Sequence, residues 1–194
     1  MHTAFQYDHY YLRRQVLALT GKIRIFTPDG QLALYCQQKM FRLKEDIRAY
    51  TDESCIQEIL YIQARSIIDF SAAYDVIDSG YGTKVGTLRR KGWRSIMRDE
   101  WDVLDTGDQP VGVLWEDNPR RALVRRMVAG RLLPQDYDLL IGDQRVADLR
   151  QRFNLFRYEM DLDFSMDTTR LLDRRLGIAA AILLAFIEGR QDSK

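Results

Sequence analysis

Residues 171–188 read LLDRRLGIAAAILLAFIE, and from Gly177 to Ile187 no side chain is polar. Small residues (Gly177, Ala179, Ala180, Ala181, Ala185) are interspersed with large ones (Leu176, Ile178, Ile182, Leu183, Leu184, Phe186, Ile187). A helix that is apolar on every side has no wet face. A bilayer span takes about 20 apolar residues, and this run is well short of that. The stretch therefore reads as a helix buried inside its own protein, with the rest of the chain wrapped around it. Its alanines would let neighbouring strands come close. Ser165 or Asp167 is placed to cap its start, and Gly189 to end it as a C′ glycine.

Immediately upstream, YEMDLDFSMD (158–167) alternates. Met160, Leu162, Phe164 and Met166 face one way; Asp161, Asp163, Ser165 and Asp167 face the other. That is a strand with one wet face. YDLLIGDQRVADLRQRF (137–153) precedes it as a strand, a Gly-containing turn and a strand. The same order occurs twice before. YDVIDSGYGTKVGTL (74–88) leads into RRKGWRSIMRDEWDVLD (89–105). Earlier still, Ile23 and Ile25 run into a Pro28-Asp29-Gly30 turn, Leu32 and Leu34 return, and RLKEDIRAYTDE (42–53) follows. In this last segment Leu43, Glu45, Ile47 and Ala49 share a face, with Glu45 near a rim. Residues 5–19 read as an opening strand that Thr20-Gly21 breaks.

Three strand–turn–strand–strand units with short connections imply a closed antiparallel sheet, because closure removes exposed edges. A closed barrel needs its interior filled, and the terminal helix is suited to that. The fold class is thus α+β: an antiparallel β-barrel around a hydrophobic C-terminal helix. One segment departs from the β pattern. Asn118-Pro119 opens and Gly130 closes a short outer helix near 119–129, with Leu123, Val124, Met127 and Val128 on one face.

The chain has 194 residues, with 29 Lys+Arg against 28 Asp+Glu. No global field draws it to nucleic acid or membrane, so any such binding must come from a local patch. Mean hydropathy is −0.34, and four prolines with no Ser/Gly-rich linker indicate a single domain over 1–194. Cys36 and Cys55 lack metal-ligand spacing and read as reduced, part-buried thiols. The N-terminal MHTAFQYDHYYLRRQ lacks the apolar core of a signal peptide, which places the protein in the cytoplasm.

The order KMFRLKEDIRAYTDE, AAYDVIDSGYGTKVGTLRRKGWRS, WDVLD, GVLWED and DRRLGIAAAILLAFIEG resembles the LURP-one-related proteins, which belong with the phospholipid scramblases and Tubby C-terminal domains in a Tubby-like superfamily. The resemblance runs from about Leu12 to Gly189. It implies a barrel of about twelve antiparallel strands threaded by the terminal helix. It also implies a non-enzymatic module, since Tubby domains bind phosphoinositide headgroups through basic side chains. The sequence shows neither the proline-rich extension nor the palmitoylated cysteine cluster of scramblases, so their mode of membrane attachment, and with it scrambling, is not expected.

Two basic clusters are candidates for such a role. The first is Arg89, Arg90, Lys91, Arg94 and Arg98 around Trp93; the second is Arg120, Arg121, Arg125, Arg126 and Arg131. The plain reading is a solvated surface paired with Asp99, Glu100, Glu116 or Asp117. The functional reading is a site for anionic phospholipid or phosphoinositide headgroups at a membrane surface. An adaptor for an unidentified protein is the alternative, and a calcium-dependent scramblase the third. Nucleic acid fits poorly, with few aromatics in the patches.

Asp161, Asp163, Ser165 and Asp167 open like an EF-hand loop, and the scramblase resemblance puts a calcium segment here. The sixth position is Met166 instead of Gly and the twelfth Leu172 instead of Glu, which favours a plain strand face. Arg174, Arg175 and Glu188 oppose the helix dipole. Each is expected to be answered: Arg174 or Arg175, and Glu188, by rim residues of opposite sign. Enzyme signatures and cofactor motifs are absent, and His2 and His9, the two histidines, lie in an N-terminal stretch expected to be loose.

Overall fold

Alternating apolar side chains need one dry face, and strands of this chain find it by pairing edge to edge into a ring. A computed structural model describes residues 1–15, 20–39, 46–66, 72–91, 100–116, 134–154 and 156–191. A 3₁₀ turn (Thr3–Phe5) leads into β1 (His9–Gln15), β2 (Thr20–Phe26), β3 (Leu32–Lys39) and β4 (Ile47–Tyr50). There follow β5 (Glu58–Ser66), β6 (Ala73–Asp78), β7 (Thr83–Arg90) and β8 (Glu100–Leu104). Last come β9 (Pro110–Glu116), β10 (Asp136–Ile141), β11 (Gln144–Arg152), β12 (Arg157–Asp163) and the helix α1 (Arg174–Gln191).

Each strand pairs antiparallel with the next, and β12 closes on β1. At the seam Leu12 lies opposite Met160, and Gln15 opposite Arg157. In such a meander the odd-numbered strands all run one way. The connections therefore alternate between two ends of the barrel. α1 begins at one of them, the entry end, where Arg174 meets Asp8 just before β1. The other is the far end, where Arg14 near the end of β1 meets Ala185 of the helix.

Leu176 to Phe186 are all buried, and they share one core with inward residues of the strands, among them Leu12, Ile25, Ile62, Val103 and Leu149. The helix lies nearest β6, β7 and β12. Two glycines permit that approach. A Cβ on Gly177 would stand 2.4 Å from Cε1 of Phe164, and one on Gly86 of β7 would stand 3.0 Å from a methyl of Leu176. The barrel around a hydrophobic helix is the expected one.

Several local readings are corrected. Thr20-Gly21 does not break a strand but starts β2, and β1 covers only His9–Gln15. The N-terminal stretch is packed, with Phe5 fully buried and His2 accepting the N–H of Ala4 at 3.2 Å. The alternation of 158–167 ends at Phe164, where the chain turns, so Asp167 faces inward at 1% exposure. Neither Ser165 nor Asp167 caps α1. Asp173 does, accepting the N–H of Arg175 at 3.0 Å. Gly189 does not end the helix, which continues to Gln191. Of the thiols, Cys36 is buried fully and Cys55 partly. The outer helix at 119–129, Glu45 and the side chain of Glu188 lie outside the described residues.

Candidate functional site

At the entry end the helix is locked by charge. Arg174 is 2% exposed; its Nη1 bonds Asp167 at 2.7 Å, and its Nη2 bonds Asp8 at 3.0 Å and the Phe164 carbonyl at 3.3 Å. The guanidinium also stacks over the Phe164 ring, 4.9 Å from its centroid. Arg175 reaches Asp78 at the end of β6 and doubly engages Asp173. These are the opposite-sign rim partners that the adverse arginines called for. Burial pushes the Asp173 carboxyl up, but its bonds from Arg175 outweigh that and hold it below the ordinary carboxylate range. Asp167 also accepts the N–H groups of Leu171 and Leu172, which tie down the loop entering the helix.

Far from this lock, Arg14 points into the barrel and donates to the Ala185 carbonyl at 2.6 Å, with its guanidinium over the Phe186 ring. A cation near the carbonyl-rich end of a helix is favourable.

The described connections of the entry end are rich in acids, several of them answered by arginines. At the entry end they hold Asp29, Asp52, Glu53, Asp105, Asp108, Asp143, Asp167 and Asp173 against Arg170: eight acids and one base. In the sequence, the stretches between β3 and β4, β5 and β6, β7 and β8, and β9 and β10 hold Arg42, Lys44, Lys91, Arg94, Arg98, Arg120, Arg121, Arg125, Arg126 and Arg131. Against these ten bases stand five acids, Glu45, Asp46, Asp69, Asp99 and Asp117. The strand ends that bracket the two arginine segments, Arg90 and Glu100 for the first and Glu116 and Asp136 for the second, stand at the far end.

A family model of LURP-one-related proteins matches residues 32–185. The chain belongs to the LURP-one-related family. Comparison with curated proteins and with solved structures returned no match.

In this LURP-one-related barrel the described part of the first cluster is engaged by acids. Arg89 bonds Asp102 at 2.8 Å; Lys91 bonds Glu100 at 2.6 Å and Asp102 at 3.0 Å. The bond to Glu100 is the main cause of a raised Lys91 ammonium. Arg90 lies over the Trp101 ring at 6.0 Å. Arg94, Arg98, Arg120, Arg121, Arg125, Arg126 and Arg131 lie outside the described residues.

The outer face carries further ion pairs, including Arg48–Glu58 at 2.6 Å and Arg65–Asp75 at 2.5 Å across strands, and Arg24 of β2 with Glu53 of the β4–β5 turn at 2.7 Å. Asp108 takes bonds from Arg65 and Lys84, and those donors hold its carboxyl well below the usual range. The acids of the EF-hand-like stretch go separate ways. Asp161 pairs with Arg152, Asp163 accepts the Ser165 N–H and faces His9, and Asp167 serves Arg174. Among the described residues no group of three or more His, Cys, Asp or Glu side chains is placed to hold a metal ion. Nor is any described helix long and apolar enough to cross a membrane.

Sequence reasoning missed Arg14, Asp8 and Asp78. Only the sign of Asp8 and Asp78 was predictable. For Arg14 the signal was its place at an inward position, two residues after Leu12 in an alternating strand.

Proposed function

We propose that this LURP-one-related barrel is a non-enzymatic binding module that recognises anionic phospholipid headgroups at a membrane surface through its far end. Two arginine-rich stretches of the sequence support this reading most directly. In the sequence Arg120, Arg121, Arg125, Arg126 and Arg131 run with no acid between Asn118 and Gln135, and Arg89, Arg90, Lys91, Arg94 and Arg98 form a second basic stretch. Such a molecule orients in the field of an anionic surface, and each basic residue near that surface adds about 1 kcal/mol. Arg89, Arg90, Lys91, Arg94, Arg120, Arg121, Arg125 and Arg126 are the proposed contacts. The module acts as one Tubby C-terminal-like domain, peripherally attached on the cytoplasmic side.

Co-sedimentation with phosphatidylcholine vesicles, with and without phosphatidylserine or phosphoinositide, tests it. Binding should require the anionic lipid, weaken with salt, and fall when Arg120, Arg121, Arg125 and Arg126 become Ala. Absence of binding at low salt removes the lipid reading.

One observation favours a second reading, a protein–protein adaptor. Arg89 and Lys91 are already matched by Asp102 and Glu100. A surface neutralised in this way suits a partner of mixed charge better than a lipid headgroup. Scramblase activity gains nothing from the three acids, whose partners are arginines, a histidine and backbone N–H groups.

A further inference from the structure

Three exposed apolar side chains stand at the entry end, whose connections lie wholly within the described residues. Ile56 of the β4–β5 turn is 87% exposed, Tyr81 of the β6–β7 turn 72%, and Leu171 of the loop entering α1 50%. Ile56 and Tyr81 are the most exposed large apolar side chains among the described residues. Their connections are bonded to one another. Ser79 donates its hydroxyl to Glu58 at 2.8 Å and its N–H to the Ile59 carbonyl at 3.4 Å, which ties the β6–β7 turn to the start of β5. Asp78 accepts the Tyr81 N–H at 3.1 Å and also pairs with Arg175, which ties the same turn to the helix that Leu171 precedes. Single apolar side chains scattered on a surface need no account, but three on linked connections mark a contact surface.

Acids surround them. Of the eight in the entry-end connections, four hold bases: Glu53 pairs with Arg24, Asp108 with Arg65 and Lys84, Asp167 with Arg174, and Asp173 with Arg175. The other four, Asp29, Asp52, Asp105 and Asp143, make no ion pair among the described residues. Asp29 accepts the Thr27 hydroxyl at 2.5 Å, Asp52 the Ser54 N–H at 2.7 Å, and Asp105 the N–H groups of Gly107 at 2.8 Å and Gln109 at 2.9 Å. These three carboxylates are held in their turns with their charge unanswered, so little freedom is left to lose on docking. The ring order sets them around the apolar residues. Asp52 shares the turn of Ile56, Asp29 and Asp105 stand on the turns to either side of Ile56 and Tyr81, and Asp143 stands on the next.

We infer that the entry end docks a cationic amphipathic segment of a partner protein. Its apolar side chains cover Ile56, Tyr81 and Leu171, and its lysines or arginines meet the four unpaired carboxylates. This goes beyond the headgroup reading, concerns the opposite end of the barrel and does not depend on it. Charge complementarity selects the occupant: an anionic bilayer or an acidic peptide is repelled by the same carboxylates that attract a basic segment. The charges speed encounter and set its salt dependence, while covering the apolar side chains slows departure.

The experiment titrates the full chain into fluorescein-labelled synthetic peptides and reads anisotropy. One peptide repeats Lys-Leu-Leu-Lys, a second Glu-Leu-Leu-Glu, and a third Lys-Ser-Ser-Lys. The first should bind and weaken with salt, the second should not bind, and the third should bind at least tenfold more weakly than the first. Covering one large apolar side chain corresponds to roughly tenfold in affinity, so Ile56→Ser/Tyr81→Ser should lose tenfold or more for Lys-Leu-Leu-Lys. Asp29→Asn/Asp52→Asn/Asp105→Asn/Asp143→Asn keeps acceptors in the turns and should lose a similar factor together with most of the salt dependence. All these side chains lie at the surface, and unchanged melting temperatures will show that folding is intact. Both variants should partition onto phosphatidylserine vesicles as wild type does, so failure of the lipid reading leaves this one standing. Absence of Lys-Leu-Leu-Lys binding, or binding that neither variant weakens, overturns the proposal. Equal binding of Lys-Ser-Ser-Lys overturns it by leaving the apolar residues without a part. Wild type that elutes as a dimer, with Ile56→Ser/Tyr81→Ser a monomer, assigns the surface to a contact between copies and overturns it too.

Discussion

Arg174 and Asp167 form an ion pair at 2.7 Å with both side chains sealed from water, at 2% and 0% exposure. Removing one member of such a pair strands the other charge, which costs about 3–5 kcal/mol. Asp167→Ala should therefore destabilise the barrel by that amount in urea titration at neutral pH. Part of the loss comes from the two loop N–H groups that Asp167 also satisfies. Replacing both residues with apolar side chains should cost less than the sum of the single changes, and additive costs would contradict the coupling.

Gly177 gives the Phe164 ring its place. A methyl at 177 would meet Cε1 at 2.4 Å, far inside contact distance. Gly177→Ala raises helix propensity yet should lose about 1–3 kcal/mol through overpacking. Adding Phe164→Leu should restore part of it. A stabilised Gly177→Ala variant in thermal melts would show that the helix is not pressed against this ring.

Acid should loosen the entry end. The Asp173 carboxyl sits below its ordinary 3.8, so its stabilisation is complete above that value. It is lost as pH falls through the depressed folded-state value. Asp173→Asn keeps a capping side chain but removes the charge. It should cost about 1 kcal/mol at pH 7, and the gap in melting temperature from wild type should narrow as the solution is taken below the ordinary carboxylate range. Asp108, lowered by Arg65 and Lys84, should respond in the same direction.

The two thiols should separate chemically. Burial pushes the Cys36 thiol far up, whereas Cys55 is partly accessible in the turn between β4 and β5. Titration with a chromogenic disulfide should count one reactive thiol in the native protein and two in denaturant. Rapid reaction of both before unfolding would mean that the wall at β3 opens.

The terminal helix and the hairpins could be read from sequence because each signal is local. An all-apolar run has few destinations, and Pro28-Asp29-Gly30 turns wherever it occurs, with Gly30 at φ +82°. β5 and β9 escaped the repeat count. β9 starts on Pro110 and contains Gly112, which blur the period of two, while Ile59-Leu60-Tyr61-Ile62 of β5 is an apolar run without clean alternation. With them and the opening strand β1, the three units become four strands each. The lock was half legible: charge at the wrong end of a dipole demands an answer, but Asp8 lies 166 positions from Arg174 and becomes its neighbour only once the seam closes. The charges of the connecting stretches were in plain view, yet the stretches sort into two sets only once the parity of the meander is known.

The order of elements has a kinetic consequence. Eleven of the twelve strand pairings join neighbours in sequence, which favours rapid local assembly. The seam between β1 and β12 and the docking of α1 are the exceptions. An incomplete ring without the helix would expose its greasy lining to solvent, so no half-built cylinder can be a resting state. The slow event should be the late, concerted zipping of first strand to last around a helix already in place, and chaperones would meet this chain as an unzipped, sticky sheet.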